Sequence, residues 1–213
     1  MITPGNRAAH WLLGVLAAAA WFGVLLQLWL SLGTALKSGQ SVEQGLGGYL
    51  GYFTVLTNVF VAVVSSAGLV GPKSVLWSAS MRGCMTTSIV LVGLTYHFLL
   101  HALWDPQGWQ WVADITLHYV VPLGACAYWC LHPPAKPLSL LAPLKWSIYP
   151  CAYFVYVVVR GELIGTYPYF FMDVGKLGYP RTLVNAICLL ACFVALGFVV
   201  LYISRFRRGS HPG

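Results

Sequence analysis

Residues 183–204 read LVNAICLLACFVALGFVVLYIS, without a single charged side chain. A helix rises 1.5 Å per residue, so about 20 apolar residues cross a hydrocarbon core of about 30 Å. The stretch is a membrane span, and the same reading recurs outward from it. Apolar runs punctuated by Gly, Pro and charge give six spans: 8–36, 49–71, 84–104, 112–132, 144–163 and 183–204. Of the 213 residues, 59% are hydrophobic and only 8% charged, whereas roughly a quarter of a soluble domain is charged. The alternating segments of about ten residues that a membrane barrel needs are missing. The expected fold is all-α: a polytopic membrane protein forming a single bundle of six transmembrane helices, without a domain boundary, linker or internal repeat.

The opening MITPGNR and the small residues Ala17 to Ala20 imitate a secretory signal. The apolar run continues through Trp21 to Leu36, too long for a removable signal, and reads as the first span. Basic residues set the orientation. Arg7, Lys73, Arg82, Lys136, Lys145, Arg205, Arg207 and Arg208 fall on one side, against Lys37, Arg160, Lys176 and Arg181 on the other. Both termini are expected in the cytoplasm, with the bacterial inner membrane as the location. The net charge of +7 is mostly topogenic; the closing RFRR meets anionic headgroups, and no nucleic-acid partner is called for. Cys84, Cys126, Cys130, Cys151, Cys188 and Cys192 lie in or beside apolar runs with no Cys-x-x-Cys pair, so they read as small buried hydrophobes.

The fourth span contains DITLHYVVP, residues 114–122, which places an aspartate and a histidine one turn apart in a lipid-crossing segment. With the topology above, the polar residues of four spans share one depth toward the outer face. They are Thr54, Thr57 and Asn58; Tyr96, His97 and His101; Asp114 and His118; and Arg160 with Glu162. Thr54/Asn58, His97/His101 and Asp114/His118 are i,i+4 pairs, each on one helix face. An Asp at mid-membrane costs roughly 2.5–3.5 kcal/mol on an insertion scale, so these faces are expected to line a polar pocket. Asp114 can orient His118 by accepting from one ring nitrogen, leaving the other free as a base. Thr54 is the first candidate nucleophile and Thr57 the second.

Each residue also has a plainer reading. A lone membrane Thr usually back-bonds to its own helix, Asp114 can cap a helix start, His97 and His101 can be hydrated at the interface, and Arg160 can snorkel beside Glu162 or Asp173. The shared depth favours a site. The connection from Gly165 to Thr182 carries Tyr167, Tyr169, Phe170, Phe171 and Tyr179, which suit an interfacial lid over a lipid-receiving pocket or a plain interface anchor. His10, His132 and His211 are given no role.

The order of GYFTVLTN (51–58), YHFLLHALWDPQGWQ (96–110), ADITLHYVVP (113–122) and YPYFFMDVGKLGY (167–179) resembles bacterial members of the six-helix androgen-induced and androgen-dependent-TFPI-regulating family. Its animal members are membrane hydrolases of fatty acid esters of hydroxy fatty acids, with a threonine nucleophile and a histidine. The resemblance implies Thr54, after Tyr52-Phe53, as the nucleophile. It implies His118 as the histidine, although one residue fewer separates it from the following proline. Asn58, Tyr96 and His97 are then candidate oxyanion donors, and His101, Arg160 and Tyr167 further substrate-binding residues. The substrate is a lipid from the outer leaflet and no cofactor is required. Two other functions fit the same residues: a metal or haem site on His97, His101 and His118, with Asp114 as a further ligand, or a non-catalytic transporter.

Overall fold

The computed structural model of the chain describes residues 4–71 and 73–209. His211, to which no role was given, lies outside them. The described residues are helical: α1 (Pro4–Lys37), α2 (Val42–Leu50), α3 (Phe53–Val70), α4 (Ala79–Thr95), α5 (Trp109–Ile115), α6 (Val121–Leu131), α7 (Ala142–Trp146), α8 (Ile148–Ile164) and α9 (Val174–Gly209). Five helical stretches are long and apolar enough to cross a membrane: Arg7–Lys37, Phe53–Val70, Ala79–Leu103, Ala142–Ile164 and Val174–Arg207. The protein is therefore an integral membrane protein of helical type. The fourth expected span, 112–132, falls in the helical stretch 109–131, which has a comparable length. Gln110, Asp114 and His118 dilute its apolar character, and it is not among the five.

Several boundaries differ from the sequence reading, each for a local reason. The second span starts at Phe53, because a separate helix, α2, precedes it. Ser41 caps α2: its hydroxyl accepts from the Gln44 N–H at 3.3 Å, while the Gln44 side chain accepts from the Ser41 N–H at 2.9 Å. This reciprocal box satisfies two donors that a helix start leaves open. The connection expected from Gly165 to Thr182 is shorter, because α9 begins at Val174 and kinks at Gly178, whose φ of 71° precedes Pro180 by two residues. Only 165–173 link α8 to α9, with a short 3-10 turn at Phe170–Met172.

The core is built around α3, α4 and α6, with α1 packed along α3 and α6 and the long α9 against α4. Leu16, Ala20, Val61, Val64, Met85, Ile89, Val121 and Ala125 fill its centre. Large apolar side chains cover the periphery, among them Trp11, Trp29, Ile148, Val155 and Val199. In water such a surface would be an aggregation liability; in a bilayer it is the lipid contact. Buried hydroxyls on α4 are satisfied within the helix, Thr87 donating to Gly83 O at 2.8 Å and Ser88 to Cys84 O at 2.7 Å.

Two π-helical turns interrupt the core helices, at Tyr96–Leu100 after α4 and at Thr116–Val120 between α5 and α6. Pro122 follows the second and has no N–H to give the His118 carbonyl, which loosens the regular ladder there. α4 and α6 stay close at this level: a Cβ on Gly93 would stand 3.1 Å from His118 O and 3.2 Å from Pro122 Cβ.

At the opposite end, Gly83 lies under the Trp146 indole, and a Cβ there would come within 2.4 Å of the ring. The indole is held by its N–H donating to Ser80 at 3.0 Å. Overpacking of this kind costs about 1–3 kcal/mol. Gly83→Val should lower the thermal midpoint of the detergent-solubilised protein, and Trp146→Leu in the same chain should restore part of the loss.

Candidate active site

At the end of the bundle where α1 and α4 finish and α3 and α5 begin, a chamber of about 600 Å³ opens between the helices. Thr54, Tyr96, Asp114 and His118 line it together, with Gln27, Ser31, Tyr49 and Gln110 along its approach. A second, apolar cleft of about 290 Å³ lies between α4, α8 and α9, walled by Leu91, Phe154, Ile187 and Leu190. Thr54, Leu100 and Tyr169 border both spaces. The threonine stands at the junction of a polar and an apolar compartment.

Asp114 is 3% exposed. Its Oδ2 accepts from the Tyr96 hydroxyl at 2.5 Å, and its Oδ1 lies 3.2 Å from His118 Nδ1. That nitrogen is also 3.0 Å from the Asp114 carbonyl oxygen. The carbonyl oxygen accepts from Nδ1, and Oδ1 stands at ion-pair distance without a hydrogen bond of its own; a proton on Nδ1 leaves Nε2 free. The Tyr96 ring stacks on the imidazole, with centroids 3.8 Å apart and planes within 12°. Carboxylate, phenol and imidazole form one cluster, the phenol and the imidazole on the facing π turns and the carboxylate at the end of α5.

Thr54 lies in the first turn of α3, where backbone N–H groups have no intrahelical acceptor and the preceding Tyr52 offers no side-chain cap. Its N–H donates instead to the Tyr169 hydroxyl at 3.4 Å, and its Oγ1 is 3.5 Å from that same oxygen. Tyr169 comes from the short link between α8 and α9, stacked on Phe171 with planes 7° apart. Burial pushes its phenol above the ordinary tyrosine value, with the bonds to Thr54 pulling the other way, so it stays a protonated donor at neutral pH. The positive end of the α3 dipole and this phenol converge on the Thr54 hydroxyl.

Asn58 holds the two helices in register. Its Nδ2 donates to the Thr54 carbonyl at 2.8 Å and to the Leu117 carbonyl at 3.3 Å, one residue before His118. It is fully buried beneath the chamber and does not line it.

Seven of the sequence candidates have partners or positions other than those the sequence suggested. Thr57 is fully buried with its hydroxyl 3.1 Å from the Tyr149 hydroxyl on α8, and it does not line the chamber. Asn58 spends its donors on backbone, and so cannot stabilise an oxyanion; the Tyr96 proton is likewise committed, to Asp114. His97 is exposed, bonded at 3.2 Å to Tyr119, and His101 is exposed beside the Tyr96 edge. The π turn rotates both out of the chamber. Arg160 is a strut: it donates to Gly47 O at 2.8 and 3.1 Å and to Thr166 O at 3.1 Å, fixing α2 against α8. Neither acid expected to neutralise it does so, because Glu162 accepts from Tyr167 at 2.8 Å and Asp173 pairs with Lys176 at 3.3 Å. Tyr167 thus lies outside the chamber, and Tyr169, which sequence reading placed only in the aromatic lid, occupies the position beside Thr54. Among the described residues, no three His, Cys, Asp or Glu side chains gather as a metal donor set, so His97, His101 and His118 do not form one.

Comparison with known protein families, curated proteins and solved structures finds no match to the chain. The chemistry has to be read from the residues themselves. Tyr96→Phe would leave a buried carboxylate oxygen without its donor, at a cost of about 1–3 kcal/mol. A lowered thermal midpoint for this variant, against little change for the exposed His97→Phe, is the expected result.

Proposed function

We propose that the protein is a membrane-embedded hydrolase of lipid esters, with Thr54 as nucleophile and His118 as its base. The observation that carries this reading is the position of Thr54 on the border between the chamber that holds His118 and the apolar cleft. An ester must present its carbonyl to a hydroxyl while its acyl chain stays in oil, and that border offers both environments within one side chain's reach.

In the proposed reaction, His118 Nε2 takes the Thr54 proton as Oγ1 bonds to the ester carbonyl carbon. A threonine hydroxyl is a weak nucleophile until this happens. The oxyanion that develops is met by the Tyr169 O–H and by the positive end of α3. Collapse expels the alcohol, which recovers the proton from His118, and leaves an acyl-Thr54 ester. Water then attacks that ester with His118 again as base, releasing the fatty acid and restoring the hydroxyl. Asp114 holds the imidazole in the required tautomer throughout, and Tyr96 holds Asp114.

The same reading places the chain in the androgen-induced and androgen-dependent-TFPI-regulating family. It takes the stretch 109–131 as a sixth crossing whose polar residues face the chamber, both termini as cytoplasmic, and the bacterial inner membrane as the location. The chamber then opens toward the outer leaflet. The bias of basic residues supports this orientation.

Thr54→Ala and His118→Ala should each abolish hydrolysis of a medium-chain p-nitrophenyl ester by the purified, folded protein, while Thr57→Ala retains most of it. Tyr169→Phe should lower kcat by about 100-fold with a smaller change in KM, as loss of one oxyanion donor does. Wild-type rates in Thr54→Ala or His118→Ala would exclude the mechanism.

A further inference from the structure

The approach to the chamber has an unusual chemical uniformity. Gln27, Ser31, Thr34 and Ser38 descend one face of α1, Gln40 and Gln44 flank the start of α2, and Gln110 faces them from α5. The first of these are linked: Gln110 Nε2 donates to Gln27 Oε1 at 2.8 Å, and Gln27 Nε2 to Ser31 Oγ at 3.2 Å. The relay leaves outward-facing capacity, since an amide carries two donors and an acceptor and a hydroxyl can still give its proton.

Among the described residues, no lysine or arginine lines this space, the one lining carboxylate is Asp114 and the one lining imidazole is His118. The Arg160 guanidinium is spent on the backbone carbonyls of Gly47 and Thr166. Lys37 and Glu43, next in sequence to the lining residues Ser38 and Gln44, carry opposite signs and do not line the space. An anionic headgroup entering here would lose hydration, meet Asp114, and gain no cation in return. A neutral polyol would exchange its water hydrogen bonds for amides and hydroxyls at little electrostatic cost.

We infer that the lipid ester cleaved here has an uncharged, polyhydroxylated head, of the acylglycerol or sugar-ester class, seated against the Gln27–Ser31–Thr34–Gln110 surface. This rests on the hydrolase reading above, and it differs from a fatty acid ester of a hydroxy fatty acid, whose free carboxylate finds no partner in the lining. The acyl chain runs past Thr54 into the cleft between α8 and α9, and the glycerol or sugar oxygen leaves toward α1.

Two matched oleoyl esters test this on the full-length protein in detergent: 1-oleoylglycerol and the oleoyl ester of 12-hydroxystearic acid. We expect kcat/KM at least about 10-fold higher for the glycerol ester, a difference of about 1.4 kcal/mol. The uncleavable ether 1-O-octadecylglycerol should raise the thermal midpoint, and stearate should not. Gln110→Leu should raise KM for the glycerol ester and weaken the ether's effect. Thr34→Lys, at an exposed position, should shift preference toward the carboxylate ester. Equal or faster cleavage of the carboxylate ester by the native protein overturns the inference while leaving the hydrolase reading intact. Stabilisation by the ether with neither ester cleaved supports the polyol-binding surface and removes the hydrolase reading. Failure of the ether to stabilise, together with no preference between esters, overturns the inference.

Discussion

A carboxylate as enclosed as Asp114 is tolerable within a bundle of aliphatic side chains only when its charge is shared out among donors. Tyr96 supplies one at 2.5 Å, while Oδ1, without a hydrogen bond of its own, has the His118 imidazole at ion-pair distance, 3.2 Å. Much of the surrounding geometry follows from meeting that requirement. Tyr96 has to reach across from the end of α4 and His118 has to turn back toward its own helix, and the chain does both through π turns at facing positions. Gly93 keeps the helices close enough for the stack of phenol on imidazole to form. Low dielectric strengthens each of these bonds and penalises the loss of any one of them. The imidazole proposed as the base is oriented, in this sense, by the cost of burying the acid beside it.

Thr54, the proposed nucleophile, is placed by a different device. Thr54 sits where α3 begins, so its backbone is short of partners and its hydroxyl feels the positive end of the helix. Tyr169 answers the open N–H, and Asn58 ties the Thr54 carbonyl to that of Leu117 on the base's own helix. Both attachments are side chain to backbone, so they constrain position while leaving Oγ1 uncommitted to a strong bond. Arg160 works at a distance in the same scheme, pinning the chain just before α3 through Gly47. A guanidinium at this depth is costly unless every donor finds an acceptor, and three of its contacts are backbone carbonyls.

The membrane-spanning character was legible in the apolar runs, since lipid demands long uninterrupted hydrophobic helices. The Asp114–His118 pair was legible too, because one-turn spacing survives the π turn well enough to keep both groups together. The His97/His101 pair shows where spacing fails: the same rule assumes a regular helix, and a π turn followed by a 3-10 turn carries these rings outward. Thr54 and Thr57 lie three positions apart on one helix, and periodicity alone does not say which lines the chamber with His118; Thr54 does, while the Thr57 hydroxyl meets that of Tyr149. Helix α2 had a visible sign, Ser41 followed by Gln44 at capping-box spacing. Tyr169 had none, because its place depends on a link folding back over α3 from more than a hundred residues away.

The central claim is that the Thr54 hydroxyl, prepared by His118, is the atom that bonds to the ester. The most direct measurement treats the purified protein with a fluorophosphonate and maps the modified residue by peptide mass spectrometry. The account predicts a single phosphonylated site at Thr54, lost in His118→Ala and retained in Thr57→Ala. An adduct on Thr57 or on any serine, or an undiminished adduct at Thr54 when His118 is replaced, would contradict it.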